Sequence, residues 1–152
     1  MKKALVFAIA VAAILIPAAL AAPPAQNGSD YCKAHPELIG AGLLYANFGA
    51  CVTAQAVKQE ANTTNAAKTC KAERTSIGVA AFAAKYGTNK NKANAFGKCV
   101  SKIASAKTGA QQSAEVNAAK KCTAAPLKDQ IGASPKTYRN FGACVKAQSK
   151  TS

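Results

Sequence analysis

Apolar positions in this chain recur at helical spacing. Phe96, Cys99, Val100 and Ile103 fall at i, i+3, i+4 and i+7, which puts all four on one helical face. Phe48, Cys51, Val52 and Ala56 repeat the stripe, and Phe141, Cys144 and Val145 begin it a third time. Each of these cysteines is therefore expected to point inward. Val79, Phe82 and Tyr86, at i, i+3 and i+7, predict another helix. Alanine-rich stretches over residues 54–68 and 104–121 have strong helix propensity and predict long helices, interrupted near Asn62-Thr63-Thr64 and at Gly109. Strand alternation is almost absent. The predicted fold class is all-α, a set of short disulfide-stapled helical hairpins.

Aligning the stripes exposes three repeated units, residues 32–52, 70–100 and 122–145. Each runs from a cysteine through Ile-Gly (Ile39-Gly40, Ile77-Gly78, Ile131-Gly132) and a tyrosine (Tyr45, Tyr86, Tyr138) to a Phe-Gly-x-Cys-Val segment. The outer units share Y-x-N-F-G-A-C-V, whereas the middle one inserts Gly87-Thr88-Asn89-Lys90-Asn91-Lys92-Ala93 between its Tyr and its Phe. Repeats of this length predict a supersecondary element copied and stacked. Asn47 and Asn140, just before their Phe, are expected to cap the helices that follow. Gly49, Gly97 and Gly142 come in the first turn, where a missing side chain would let another backbone come close.

The amino-terminal residues change the picture of where the protein resides. Lys2 and Lys3 precede an apolar run over residues 4–16 and a small-residue site at Ala19-Leu20-Ala21, the layout of a secretory signal over residues 1–21. The apolar run is shorter than the roughly 20 residues of a spanning helix, so no stable membrane anchor is expected. The mature chain should be secreted, extracellular or periplasmic, with a flexible segment at 22–31 before a helical repeat domain at 32–152. Asn27-Gly28-Ser29 and Asn62-Thr63-Thr64 match glycosylation acceptors.

Six cysteines in a short exported chain read as a disulfide framework. If each repeated unit closes on itself, the pairing is Cys32–Cys51, Cys70–Cys99 and Cys122–Cys144. The main rival joins neighbouring units through Cys51–Cys70 and Cys99–Cys122, with Cys32–Cys144 closing the ends. The chain has five Phe, four Tyr and no Trp, so an alanine-built core buries little area and three bridges at roughly 2–4 kcal/mol each would matter. Wide cysteine spacing and a lone histidine, His35, argue against metal binding.

Removing Lys2 and Lys3 with the signal lowers the formal charge from +14 to +12. Such a field draws in anionic partners: acidic polysaccharide, teichoic-type polymer, nucleic acid or anionic lipid. Lys90 and Lys92 of the basic insert, with Lys98 and Lys102 just after it, are the candidate anion-binding residues. The acids, Asp30, Glu37, Glu60, Glu73, Glu115 and Asp129, form no close pair for acid–base work, and His35 reads as a loop residue. No nucleophile elbow, phosphate loop, zinc-protease or calcium-loop pattern appears, so neither an enzyme nor a cofactor is expected. The expected function is a non-enzymatic, secreted basic binding protein. The alternatives are a cationic membrane-active effector and a structural or adhesion module.

Tyr86-Gly87-Thr88-Asn89-Lys90-Asn91-Lys92-Ala93-Asn94-Ala95-Phe96-Gly97-Lys98-Cys99-Val100-Ser101, downstream of Cys70-Lys71-Ala72-Glu73-Arg74, resembles a segment of a group of small secreted bacterial proteins of unknown function. In that group a YGTN-x-N-x-x-NAFGKCV run follows C-x-x-E-R. The resemblance covers the middle unit and implies export and bacterial origin. It implies no activity.

Overall fold

In a computed structural model, residues 24–133 and 136–151 are described. The expected signal at 1–21 lies outside them. The described chain forms five α-helices: α1 (Gly28–Ala34), α2 (Phe48–Ile77), α3 (Val79–Tyr86), α4 (Ala95–Thr123) and α5 (Phe141–Gln148). Short 3-10 turns at Pro36–Leu38 and Lys128–Gln130 precede the loops that lead into α2 and α5. The helical fold class holds, as do all three favoured disulfides: Cys32–Cys51, Cys70–Cys99 and Cys122–Cys144.

The helices are longer than short hairpins would need. At 30 and 29 residues, α2 and α4 each extend for roughly 45 Å and pack antiparallel, with Gln55 beside Gln112, Asn62 beside Thr108 and Cys70 bonded to Cys99. Each long helix carries the second cysteine of one unit and the first of the next. The three bridges therefore join α1 to α2, α2 to α4, and α4 to α5.

The interruptions expected at Asn62-Thr63-Thr64 and Gly109 do not occur, because the residues with low helix propensity are used in other ways. Buried Asn62 donates across to Thr108 Oγ1 (3.0 Å) and Gln111 Oε1 (2.7 Å) on α4. Thr63 Oγ1 donates back to the Gln59 carbonyl four residues earlier, a bond that an unbroken helix supplies. Gly109 is buried within α4. Along this waist the pair buries Ala66 and Ala104, small side chains that allow close helix approach.

The apolar core has two parts. One end of the α2/α4 pair holds Tyr31, Leu38, Tyr45, Val145 and the first and third disulfides. The other end holds only Cys70, Phe82, Ala95 and Cys99, edged by Ala83, Tyr86, Val100 and Ile103. All six cysteines are buried, including Cys51, Cys99 and Cys144, which the stripes predicted to point inward. The phenylalanines of the first two stripes are not: Phe48 is 43% exposed and Phe96 36%, while Val79 on α3 is 71% exposed. The buried helix faces are therefore narrower than the sequence pattern drew them. At the amino-terminal side, Asn27 caps α1, which begins at Gly28, and Tyr31 is buried.

The loops into α2 and α5 are built alike. Gly40 N donates to Tyr45 O and Tyr45 N to Leu38 O; Gly132 N donates to Tyr138 O and Tyr138 N to Gln130 O. Gly40 (φ +149°) and Gly132 (φ +147°) supply backbone angles that side chains disfavour. Asn47 and Asn140 accept from Ala50 N and Ala143 N at 2.8 Å, the expected caps. In the middle unit α3 stands in place of this loop.

Candidate functional site

Residues 66–107 include the carboxy-terminal part of α2, α3, the insert and the amino-terminal part of α4. They carry nine basic side chains: Lys68, Lys71, Arg74, Lys85, Lys90, Lys92, Lys98, Lys102 and Lys107. All nine are exposed, and Glu73 is the only acid among these residues. Folding does not dilute this charge, because α2 and α4 run antiparallel and bring the two basic stretches to the same end of the molecule. The other acids lie outside this lobe.

Glu73 is also occupied. Its Oε1 accepts from Lys85 Nζ at 2.6 Å and its Oε2 from the Tyr86 hydroxyl at 2.9 Å. Those bonds hold the Glu73 carboxyl below the usual carboxylate range and raise the Lys85 ammonium and Tyr86 phenol. Glu73 thus ties α2 to the end of α3. The adjacent Arg74 guanidinium lies over the Phe96 ring, 5.6 Å from its centroid, tying α2 to the start of α4.

The insert is a built turn whose polar side chains mostly serve the turn itself. Asn94 Oδ1 accepts from Thr88 N (3.0 Å) and Asn89 N (3.4 Å), while Asn94 Nδ2 donates to Thr88 Oγ1 (2.8 Å). Asn94 is thereby drawn away from capping α4, unlike its counterparts Asn47 and Asn140. Asn91 Oδ1 accepts from Ala93 N at 3.2 Å. Gly87 is required, since a Cβ there would stand 2.7 Å from the Ala83 carbonyl oxygen and from Lys92 Cβ.

The four singled-out lysines separate in this geometry. Lys92 adopts φ +58° and turns its Nζ back onto the Gly87 carbonyl at 3.0 Å, so it helps close the turn it was expected to decorate. Lys90 projects from the turn, and Lys98 and Lys102 lie one turn apart on the exposed side of α4. They belong to one basic surface without converging on a pocket. Lys68, Lys71 and Arg74, brought alongside by the helix pairing, complete it.

At the opposite end is a polar cluster that sequence reasoning missed. Glu115 Oε2 accepts from the hydroxyls of Tyr31 and Tyr45, both at 2.9 Å, and from Gln55 Nε2 at 3.2 Å, while Oε1 accepts from Lys58 Nζ. Tyr45 Oη also accepts from Gln55 Nε2 (2.9 Å) and Lys58 Nζ (2.8 Å). Desolvation, then the Glu115 carboxylate, pushes the Tyr31 and Tyr45 phenols far above their ordinary range. The Glu115 carboxylate is saturated with donors and serves as a knot joining α1, the first loop, α2 and α4. Its partners come from 84, 70, 60 and 57 residues away, so no local motif announced it.

Next to this knot, Gln112 grips the backbone of Gln26, accepting from its N–H and donating to its carbonyl at 3.0 Å each. A cleft of about 390 Å³ opens there, lined by Gln26, Tyr31, His35, Gln112, Ser113 and Asn117 among others. His35 closes α1, with Nδ1 2.9 Å from Glu37 Oε1. Of the two glycosylation acceptors, Asn62 is buried between α2 and α4, and Asn27 uses its Oδ1 to accept from Asp30 N at 2.9 Å. Among the described residues no group of His, Cys, Asp and Glu could hold a metal ion, and no helix is long and apolar enough to cross a membrane.

Comparison with family models, curated proteins and solved structures finds no match to this chain.

Proposed function

We propose that this is an exported, non-enzymatic protein that binds anionic polymers through the cationic lobe of residues 66–107. Its targets are polymers of the envelope or extracellular space, or nucleic acid. The carrying observation is the separation of charge: nine exposed bases against one acid that Lys85 and Tyr86 already occupy. Exposed Lys68, Lys71 and Arg74 on α2 and Lys98, Lys102 and Lys107 on α4 are spread along two paired helices, a form suited to a long polyanion. Export fits the leader pattern of residues 1–21, and three disulfides fit an oxidising compartment. We read the chain as three copies of one unit, supported by the matching hydrogen bonds of the first and third loops and by the closure of each unit on itself. In this reading the middle copy exchanged its loop for α3 and the basic turn.

Retention on immobilised heparin and on DNA, measured against salt, tests the proposal. Affinity should fall steeply with salt, and Lys98→Glu with Lys102→Glu should flatten the slope by roughly 0.9 for each phosphate of duplex DNA that is no longer neutralised. Lys146→Glu with Lys150→Glu, at the far end, should have little effect. Elution at physiological ionic strength, or equal losses from the two pairs, would overturn the assignment.

A further inference from the structure

Five large apolar side chains stand exposed among the described residues: Phe48, Val57, Ile77, Val79 and Phe96. Three of them, Ile77, Val79 and Phe96, belong to the lobe that carries the basic surface. Ile77 ends α2 and Val79 begins α3, and Gly78 between them makes the corner at φ +82°. Nothing lies within 4 Å of where a Gly78 Cβ would be, so the corner projects into open space. Arg74 is one helical turn before Ile77 and covers the Phe96 ring, linking these apolar groups to one another and to the cations around them.

A linear polyanion uses the lysines and has no use for an exposed valine and isoleucine at this corner. An anionic bilayer uses both: headgroup phosphates face the cations, and the apolar corner reaches the acyl boundary. The helices themselves have alanine-dominated faces and cannot lie flat in the interface as broad amphipathic helices do. With no spanning helix among the described residues, the contact would be peripheral. We infer that the lobe docks on anionic lipid surfaces, with Ile77 and Val79 entering the headgroup boundary and Lys71, Arg74, Lys98 and Lys102 holding phosphates. This rests on the polyanion-binding reading of the same lobe and adds the partner's second chemical feature.

The test is co-sedimentation of the oxidised protein with vesicles of mixed phosphatidylglycerol and phosphatidylcholine, with pure phosphatidylcholine vesicles as control and heparin retention measured in parallel. Binding to the anionic vesicles alone is expected. Ile77→Ser with Val79→Ser should cut vesicle partitioning roughly tenfold and leave heparin elution unchanged. Both side chains are exposed, so the variant should fold, and unchanged helical ellipticity verifies it. Heparin binding without vesicle binding, or vesicle binding that the double substitution leaves intact, overturns the lipid inference and spares the polyanion reading. Failure of the unmodified protein to bind either heparin or vesicles overturns both.

Discussion

Substituting Gly142 by alanine probes how tightly the first and third units are packed together. A Cβ on Gly142 would stand 2.3 Å from the Leu43 carbonyl oxygen, 2.6 Å from its carbon and 3.0 Å from Leu44 N, all backbone atoms of the first loop. That loop is held by its own hydrogen bonds and by Gly142 N donating to the Gly42 carbonyl at 2.9 Å. Relief requires the loop to retreat by about 1 Å, which loses that bond at about 1 kcal/mol and strains a close-packed site by about 1–3 kcal/mol. The entropy gained by replacing glycine returns at most about 1 kcal/mol. The net expectation is a loss of about 2 kcal/mol, a large share of the roughly 5–15 kcal/mol typical of a domain. The same change at the equivalent positions should behave differently. A Cβ on Gly97 meets nothing within 4 Å and one on Gly49 meets only Asn47 Oδ1 at 3.4 Å, so Gly97→Ala should stabilise by up to about 0.5–1 kcal/mol and Gly49→Ala should be close to neutral. Equilibrium urea unfolding with the disulfides intact, followed by helical ellipticity, measures all three. Equal effects at the three glycines, or a neutral Gly142→Ala, would refute the packing described for the first loop against α5.

Other consequences can be measured in the same way. Replacing Cys70 and Cys99 together by alanine opens the longest closed loop, 29 residues in separation, and should cost about 3.5 kcal/mol. Because the core at that end is otherwise Phe82 and Ala95, amide exchange of α3 should accelerate before that of α1 and α5; unchanged α3 protection would show that its packing suffices alone. Glu115→Ala takes the acceptor from the buried Tyr31 and Tyr45 hydroxyls and the ion-pair partner from Lys58, and should destabilise by about 3 kcal/mol in thermal melts. Glu115→Gln, which keeps one acceptor, should lose less. In the alkaline range, Tyr31 and Tyr45 hold their protons above the ordinary value of 10 when folded. Their contribution is therefore complete below pH 10 and is lost as pH rises past 10 toward the folded values, so the urea midpoint should fall there. A midpoint that stays flat between about pH 9 and pH 12 would contradict the buried placement of the two phenols.

Local pattern was enough to establish the helical class, the inward direction of Cys51, Cys99 and Cys144 and the caps at Asn47 and Asn140, and to favour the disulfide pairing that the fold adopts. These follow from periodicity, from side chains that reach only their own helix start, and from cysteines that recur at matching places in the sequence pattern. The basic stretches now found in one lobe were also in plain view along the chain. Packing between distant segments was needed to show that Asn62 and Gly109 sit inside unbroken helices, because the compensation for Asn62 comes from Thr108 and Gln111, more than forty residues away. Only the folded chain shows that Lys92 closes the turn while Lys90 projects from it, and that Gly142 alone of three matching glycines meets another backbone. Folding also brought Glu115, one of six scattered acids in the chain, beneath two tyrosines and a lysine. Identical local motifs end in different surroundings because the antiparallel pairing of α2 and α4 places the outer units together at one end and leaves the middle unit alone, with its charge, at the other.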